Sequence, residues 1–334
     1  MKILFRTSGG KAPGKELGLG HVYRCINLAK NLKKNKLFFL IEDYGNIVNN
    51  ILKKNNYKNI FVLQNKLNLK QEIKKTIETI KENKIDVIVI DKYNLKQDYI
   101  DEIRKFAKTV VITDLNQKRI SADLLINGFI GFKNEKIINK FGTKCLLGPQ
   151  YQIIDGEFSK RKKTKKKNTL LITFGGFDEN KIIDFILEPL SEYLDKIKTK
   201  IILGPATSKS KKIKNFERMF KKELTIIPKT NSMFKEISES EYGLCSGGIT
   251  TYEFASKGIF FGIICQVEHQ KLTAKKWQNK KMATNLGLID EINYKKIKKF
   301  LDDILRKKHP NKIMKIVDGK GSQRVASEIL KMKI

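Results

Sequence analysis

The stretch that decides the fold is Ile3-Leu4-Phe5-Arg6-Thr7-Ser8-Gly9-Gly10, followed past Pro13 and Gly14 by Gly18-Leu19-Gly20-His21-Val22-Tyr23-Arg24-Cys25. A short apolar run breaks into a Gly-rich loop. Val22, Cys25, Ile26, Leu28, Ala29 and Leu32 then recur at helical spacing. This reads as strand, loop, helix. Glycines let backbone approach a ligand closely, and a helix start offers unpaired N–H groups and partial positive charge to an anion. His21, at the start of that helix, is placed to transfer a proton to or from whatever the loop holds.

Working outward, the same alternation repeats. Apolar runs at 37–41, 60–63, 87–90, 110–112 and 124–126 read as strands, and residues 46–54, 69–83 and 96–107 as helices. Two strands end on an acid, Asp91 and Asp114. The pattern restarts at Thr169, with strands at 169–174, 200–203, 224–227, 242–245 and 260–264. Helices are expected from Asp178 to about Tyr193 and over 209–222, 231–239, 249–257, 270–286 and 293–308. Continuous apolar strands alternating with helices predict parallel, doubly wound sheets. At 334 residues the chain accommodates two such halves. We expect an α/β protein with two Rossmann-like domains facing a cleft. Residues 1–150 form the first, 151–168 a basic linker and 169–310 the second, with a helix in 311–334 returning to the first. Ligands in open α/β sheets bind beyond the carboxyl ends of the strands, where every Gly-rich loop of this chain lies.

Charge needs care, because 68 Lys and Arg against 35 Asp and Glu give +33. Such a balance fits nucleic-acid or anionic-surface binding. Here the lysines are spread through nearly every segment. The one dense block, residues 160–167, has no interleaved aromatic residue for base stacking and reads as a solvated linker. No nucleic-acid partner is expected, although the positive field suits a phosphorylated substrate. No run of about 20 apolar residues predicts a membrane span, and the chain enters a strand with no basic-then-apolar leader. Cys25, Cys145, Cys245 and Cys265 lack CxxC spacing and sit in apolar contexts, which predicts reduced, buried thiols and a cytoplasmic location. No group has metal-ligand spacing and no Walker motif occurs, so neither metal nor cofactor is expected. Trp277 reads as packed, and His309, before Pro310, as exposed. The oligomeric state is not legible.

The segment Gly18-Leu19-Gly20-His21-Val22-Tyr23-Arg24 resembles the G-x-G-H-x-x-R segment of PseG/SpsG-type proteins, nucleotide-sugar hydrolases with a GT-B-like fold. The resemblance runs along nearly the whole chain. Asp91-Lys92-Tyr93 is similar to the family's D-x-Y, and Gly148 to Phe158 to its crossover into the second domain. Ile172 to Asp178 resembles the strand and GG-x-D loop, and Ser246 to Glu253 the nucleotide-binding loop and helix shared with related glycosyltransferases. Val317 to Val325 resembles the D-G-x-G-x-x-R-V ending. The resemblance implies release of UDP from a UDP-linked diacetamido deoxy sugar by water attack at the anomeric carbon, with inversion.

On that resemblance His21 matches the residue that activates the water, with Asp91 and Tyr93 beside it; read on its own, His21 either does this or caps the helix or bonds backbone. Asp91 either orients His21, holds a sugar group or caps the next helix. Tyr93 either bounds the sugar pocket or is simply half-buried. Gly18, Gly20 and Arg24 would serve substrate binding. Gly175, Gly176, Ser246, Gly247, Gly248, Ile249 and Thr250 would hold the UDP. Glu253 either contacts the ribose hydroxyls or is an ordinary first-turn acid offsetting the helix dipole. The family often has an Asn-Gln pair after the last strand. Here His269 stands for the asparagine and Gln270 is the matched residue, so sugar recognition differs or a second acid/base group is present. The loop from Thr7 to Leu17 is longer than usual and is expected to cover the sugar. Two alternatives remain on the residues: a GT-B glycosyltransferase passing the sugar to an acceptor, and a non-catalytic or nucleic-acid-binding basic module.

Overall fold

The computed structural model describes the chain except residues 11–17, 65–66, 115–118, 161–166, 177, 179–180, 205–206, 311–315 and 333–334. Most of the loop from Thr7 to Leu17 and most of the basic block therefore lie outside the described residues. The chain divides into two compact units, Met1–Gly156 with Lys320–Ile334, and Glu157–Gly319.

The first unit runs β1 (Lys2–Gly10), α1 (Gly20–Ala29), β2 (Lys36–Tyr44), α2 (Ile47–Lys54), β3 (Ile60–Leu63), α3 (Leu69–Asn83), β4 (Val87–Asp91), α4 (Gln97–Arg104), β5 (Lys108–Ile112), β6 (Leu124–Asn127), β7 (Glu135–Ile138) and β8 (Lys144–Leu147). Its sheet order is β3-β2-β1-β4-β5-β6-β8-β7. All pairs are parallel except β7 with β8. The strands are apolar on both faces because helices cover both, as parallel sheets require. Ile3, Phe5, Val87 and Val89 pack with Val22, Ile26 and Ala29 of α1. Leu4, Leu40, Ile88 and Ile90 face Ile80, Tyr99, Ile100 and Ile103 on the other side.

The second unit runs β9 (Thr169–Thr173), α5 (Ile182–Ser191), β10 (Lys198–Ile202), α6 (Lys211–Met219), β11 (Leu224–Ile227), α7 (Met233–Ser238), β12 (Tyr242–Cys245), α8 (Thr250–Ser256), β13 (Phe260–Cys265), α9 (Gln270–Asn279), β14 (Ala283–Leu288) and α10 (Tyr294–Leu305). The all-parallel order is β11-β10-β9-β12-β13-β14. The chain then enters α11 (Gly321–Leu330), part of the first unit. Val325, Ala326 and Ile329 of α11 join the α1 core, and Glu328 accepts from Lys136 and Lys144 of the β7–β8 hairpin.

Two sequence expectations are corrected, and one element is additional. Residues 270–286 are not one helix. It ends at Asn279 in a Schellman-type stop, with Met282 N–H on Trp277 O and Lys281 N–H on Gln278 O, and Lys281 in the left-handed region at φ 55°. Residues 283–288 then form β14. The β7–β8 hairpin was not anticipated. His309 is not exposed but partly buried, its ring stacked on Phe260 at 5.1 Å and edge-on to Tyr242. Trp277 is fully buried, and all four cysteines are buried free thiols.

Candidate active site

Both sheets have the doubly wound order in which strand direction of growth reverses once, between β1 and β4 in the first unit and between β9 and β12 in the second. A crevice opens at such a switch point because neighbouring crossovers leave on opposite faces.

At the first switch point Thr7 of β1 is in register with Asp91 of β4. The α1 helix starts at Gly20, and its N-cap makes no side-chain hydrogen bond, so His21 does not serve as the cap. Instead His21 Nδ1 lies 2.6 Å from Asp91 Oδ1. Nδ1 faces this carboxylate, which only accepts, and also Arg24 Nη2, which only donates, at 2.9 Å. Arg24, one turn along α1, forks onto the same carboxylate, with Nε donating to Oδ2 at 2.8 Å and Nη2 to Oδ1 at 2.7 Å. Its outer edge grips Asp114, beyond the end of β5, through Nη1 to Oδ1 and Nη2 to Oδ2 at 2.9 Å. Asp91 is 1% exposed at its side chain, Arg24 9%, His21 22% and Asp114 54%. Burial works against the Arg24 charge, yet Asp114 and Asp91 hold its pKa well above the ordinary arginine value.

The opposite face of the same strands carries a second ion cluster. Arg6, fully buried, donates to Glu72 at 2.8 Å and to Glu42 at 3.2 Å. Lys92 Nζ donates to both Glu72 oxygens at 2.7 Å. Lys92 directly follows Asp91, so this clamp anchors the turn that leaves β4. Tyr93, next in that turn, is 49% exposed. Gly18 is exposed and Gly20 has open space where a side chain would stand.

At the second switch point Thr173, Cys245 and Ile263 are in register on adjacent strands, so the loops after β9, β12 and β13 are neighbours. Gly175 has φ 83° and open space beside it. A Cβ on Gly204 would lie 2.3 Å from Gly176 O, so β10 can end this close to the Gly175-Gly176 loop only as glycine. Gln270 Oε1 accepts from Gly247 N–H at 3.2 Å and Gln266 N–H at 3.0 Å, and Gln266 Nε2 donates to Phe174 O at 2.8 Å. These bonds tie all three loops together. Ser246 and Thr250 are buried, and Gly248 and Ile249 half-buried. Glu253 is buried in the first turn of α8. Burial, Glu253 and Cys265 push the Cys245 thiol well above its ordinary pKa. His269 is exposed at the start of α9.

His21, Asp91 and Arg24 are thus brought together in the first unit, with Tyr93 close by in the chain. Gly175, Gly176, Ser246–Thr250 and Gln270 are brought together in the second. Asp114, Lys92, Glu72 and Gln266 were not singled out from sequence. Asp114 carried a usable signal: it lies two residues past β5, the strand beside the one that ends in Asp91. No metal-holding group of His, Cys, Asp and Glu occurs among the described residues. Nor, among them, is any helix long and apolar enough to cross a membrane.

The architecture defines a GT-B-type α/β protein. Its fold matches MurG of Acinetobacter baumannii (TM-score 0.68, 16% identity, 99% of this chain and 100% of that one). It also matches UDP-GlcNAc 2-epimerase of Neisseria meningitidis (TM-score 0.62, 12% identity, 99% and 100%). Within that fold the chain is a homologue of the PseG/SpsG-type proteins. It is 28% identical to the spore coat polysaccharide biosynthesis protein SpsG of Bacillus subtilis, over 82% of this chain and 81% of that protein. It is 28% identical to UDP-2,4-diacetamido-2,4,6-trideoxy-beta-L-altropyranose hydrolase of Campylobacter jejuni, over 84% and 97%. An uncharacterised protein of Methanocaldococcus jannaschii is 27% identical over 87% of this chain, which spans 61% of that protein's length. No model of a known protein family matches.

Proposed function

We propose that the protein hydrolyses a UDP-linked amino or diacetamido deoxy sugar, with His21 as general base. The observation that carries this reading is the 2.6 Å His21–Asp91 bond at the switch point of the first sheet. In this reading Nδ1–H donates to Asp91 and Nε2 is the acceptor. A water bound there gives its proton to Nε2 while its oxygen attacks the anomeric carbon. The bond from that carbon to the β-phosphate oxygen breaks, and UDP leaves with the electron pair, inverting the centre. The tied loops of the second unit would hold the UDP. Backbone N–H groups around Ser246–Thr250 would meet the pyrophosphate, Gly175-Gly176 would admit close approach, and Glu253 would take the ribose hydroxyls. The relatedness to the Campylobacter hydrolase supports the substrate class.

The test is UDP release from UDP-linked 2-acetamido and 2,4-diacetamido sugars with no acceptor, followed by NMR of the freed sugar. Free sugar of inverted anomeric configuration is expected. Tight UDP binding without release contradicts hydrolysis and favours the glycosyltransferase reading, which the shared GT-B scaffold also accommodates.

A further inference from the structure

We infer that Asp114 and Arg24 are positioning residues that set the charge around His21, so that taking up a proton brings the cluster to neutrality. The inference rests on the reading of His21 as a base. Arg24 contributes one positive charge, and Asp91 and Asp114 two negative ones. With a neutral imidazole the four groups carry a net negative charge, and with an imidazolium they carry none. The balance counters the positive charge that develops on the imidazole as it takes the water's proton.

The geometry leaves Arg24 little capacity for a substrate. Nε–H is directed at Asp91, one Nη1 hydrogen at Asp114, and the two Nη2 hydrogens are shared among Asp91 Oδ1, Asp114 Oδ2 and His21 Nδ1, 2.9 Å away, which occupies four of its five N–H groups. Arg24 also fixes Asp91. A buried carboxylate gripped on both oxygens by a planar fork cannot rotate away from Nδ1. Asp114, half exposed, is then the one member of the cluster at the solvent edge.

Among the described residues, the other charged groups packed near α1 have partners of their own. Arg6 points into the opposite layer toward Glu72 and Glu42. On α11, Arg324 donates to Gln150 O and Glu328 accepts from Lys136 and Lys144. Lys30 pairs with Asp155. Cys25 is a buried thiol whose pKa burial and Asp91 push up, and burial raises that of Tyr23.

The experiment compares the intact chain with Asp114→Asn and with the charge-retaining Asp114→Glu. Two readouts are taken: kcat and KM for UDP release across pH, and the ring 15N signals of the chain's three histidines. For Asp114→Asn we expect kcat to fall about 10-fold with KM within about 2-fold, and the low-pH limb of the rate profile to move to lower pH. The His21 ring remains the Nδ1–H tautomer, but its imidazolium fraction at a given pH drops. Asp114→Glu restores the limb. A kcat loss with the limb and the imidazolium fraction unmoved overturns the inference, as does an unchanged Asp114→Asn. If the wild type releases no UDP, the hydrolase reading fails by itself. The 15N comparison still decides the charge-balance claim: a smaller imidazolium fraction in Asp114→Asn upholds it, and an unchanged one overturns it.

Discussion

His21 Nδ1 and Asp91 Oδ1 lie 2.6 Å apart although 70 residues separate them in the chain. The sheet makes this possible. Parallel pairing of β1 with β4 places Asp91 opposite Thr7, and α1, which begins at Gly20, carries His21 to that carboxylate. The imidazole is held by its Nδ1 side, so its other nitrogen is the one offered to a ligand.

Asp91→Asn tests that relationship. The amide is nearly isosteric, but its NH2 group donates toward Nδ1 and favours the other tautomer, with the proton on Nε2. We expect kcat to fall by about 10² to 10⁴ with UDP affinity unchanged, measured by UDP release and calorimetry. Removing Arg24 is a different event. Arg24→Met strips the fork from both oxygens of the buried Asp91 carboxylate and leaves it His21 alone, which costs about 3–5 kcal/mol in a denaturant titration.

The second site depends on Gln270. Gln270→Ala removes the acceptor shared by the N–H groups of Gly247 and Gln266. We expect a stability loss of about 1–3 kcal/mol and weaker UDP binding, read by thermal shift with and without UDP. Gly247→Ala acts on the same contact, because a Cβ there would lie 2.7 Å from Gln270 Cβ. Binding unchanged in both variants would detach these loops from the nucleotide.

Glu328 gives a pH prediction for the first unit. Hydrogen bonds from Lys136 and Lys144 lower its carboxyl to about 2, against about 4.3 in an unfolded chain. A depressed acid stabilises the fold above its unfolded value and loses that contribution as pH falls toward its folded one. The lysines are half exposed, so screening leaves about 1–2 kcal/mol. Glu328→Gln is therefore less stable than wild type by that amount from pH 7 to about 5. The difference closes between about pH 5 and 2 in urea titrations at each pH.

The buried Arg6 cluster predicts a larger loss. Glu72→Ala strips the shared acceptor from Arg6 and Lys92 and leaves two buried cations with too few partners, at a cost of about 3–5 kcal/mol. Chemical denaturation measures it directly.

Much of this architecture is legible in the residues. Continuous apolar strands with helical patterns between them specify a parallel sheet, and strands 60–63, 224–227 and 242–245 and helix 69–83 are observed at their expected limits. Where sequence reading fails, the cause is local. Helix α9 stops on a lysine in the left-handed region, where glycine is the usual signal, so Met282 to Leu286 read as its continuation. The β7–β8 hairpin has only four-residue strands, and in β7 the alternation is half-solvated. His309 looked exposed because its partners, Phe260 and Tyr242, are distant in sequence. The same holds for the site. Gly18 to Arg24 announce a ligand loop, whereas the engagement of Arg24 by Asp91 and Asp114 depends on which strands lie side by side.

The most direct measurement is acceptor-free UDP release by wild type and His21→Asn on a UDP-linked 2,4-diacetamido sugar, alongside UDP affinity for both. The account predicts turnover in the wild type, a loss of about 10² to 10⁴ in His21→Asn and equal UDP affinity. Turnover retained in His21→Asn would contradict it.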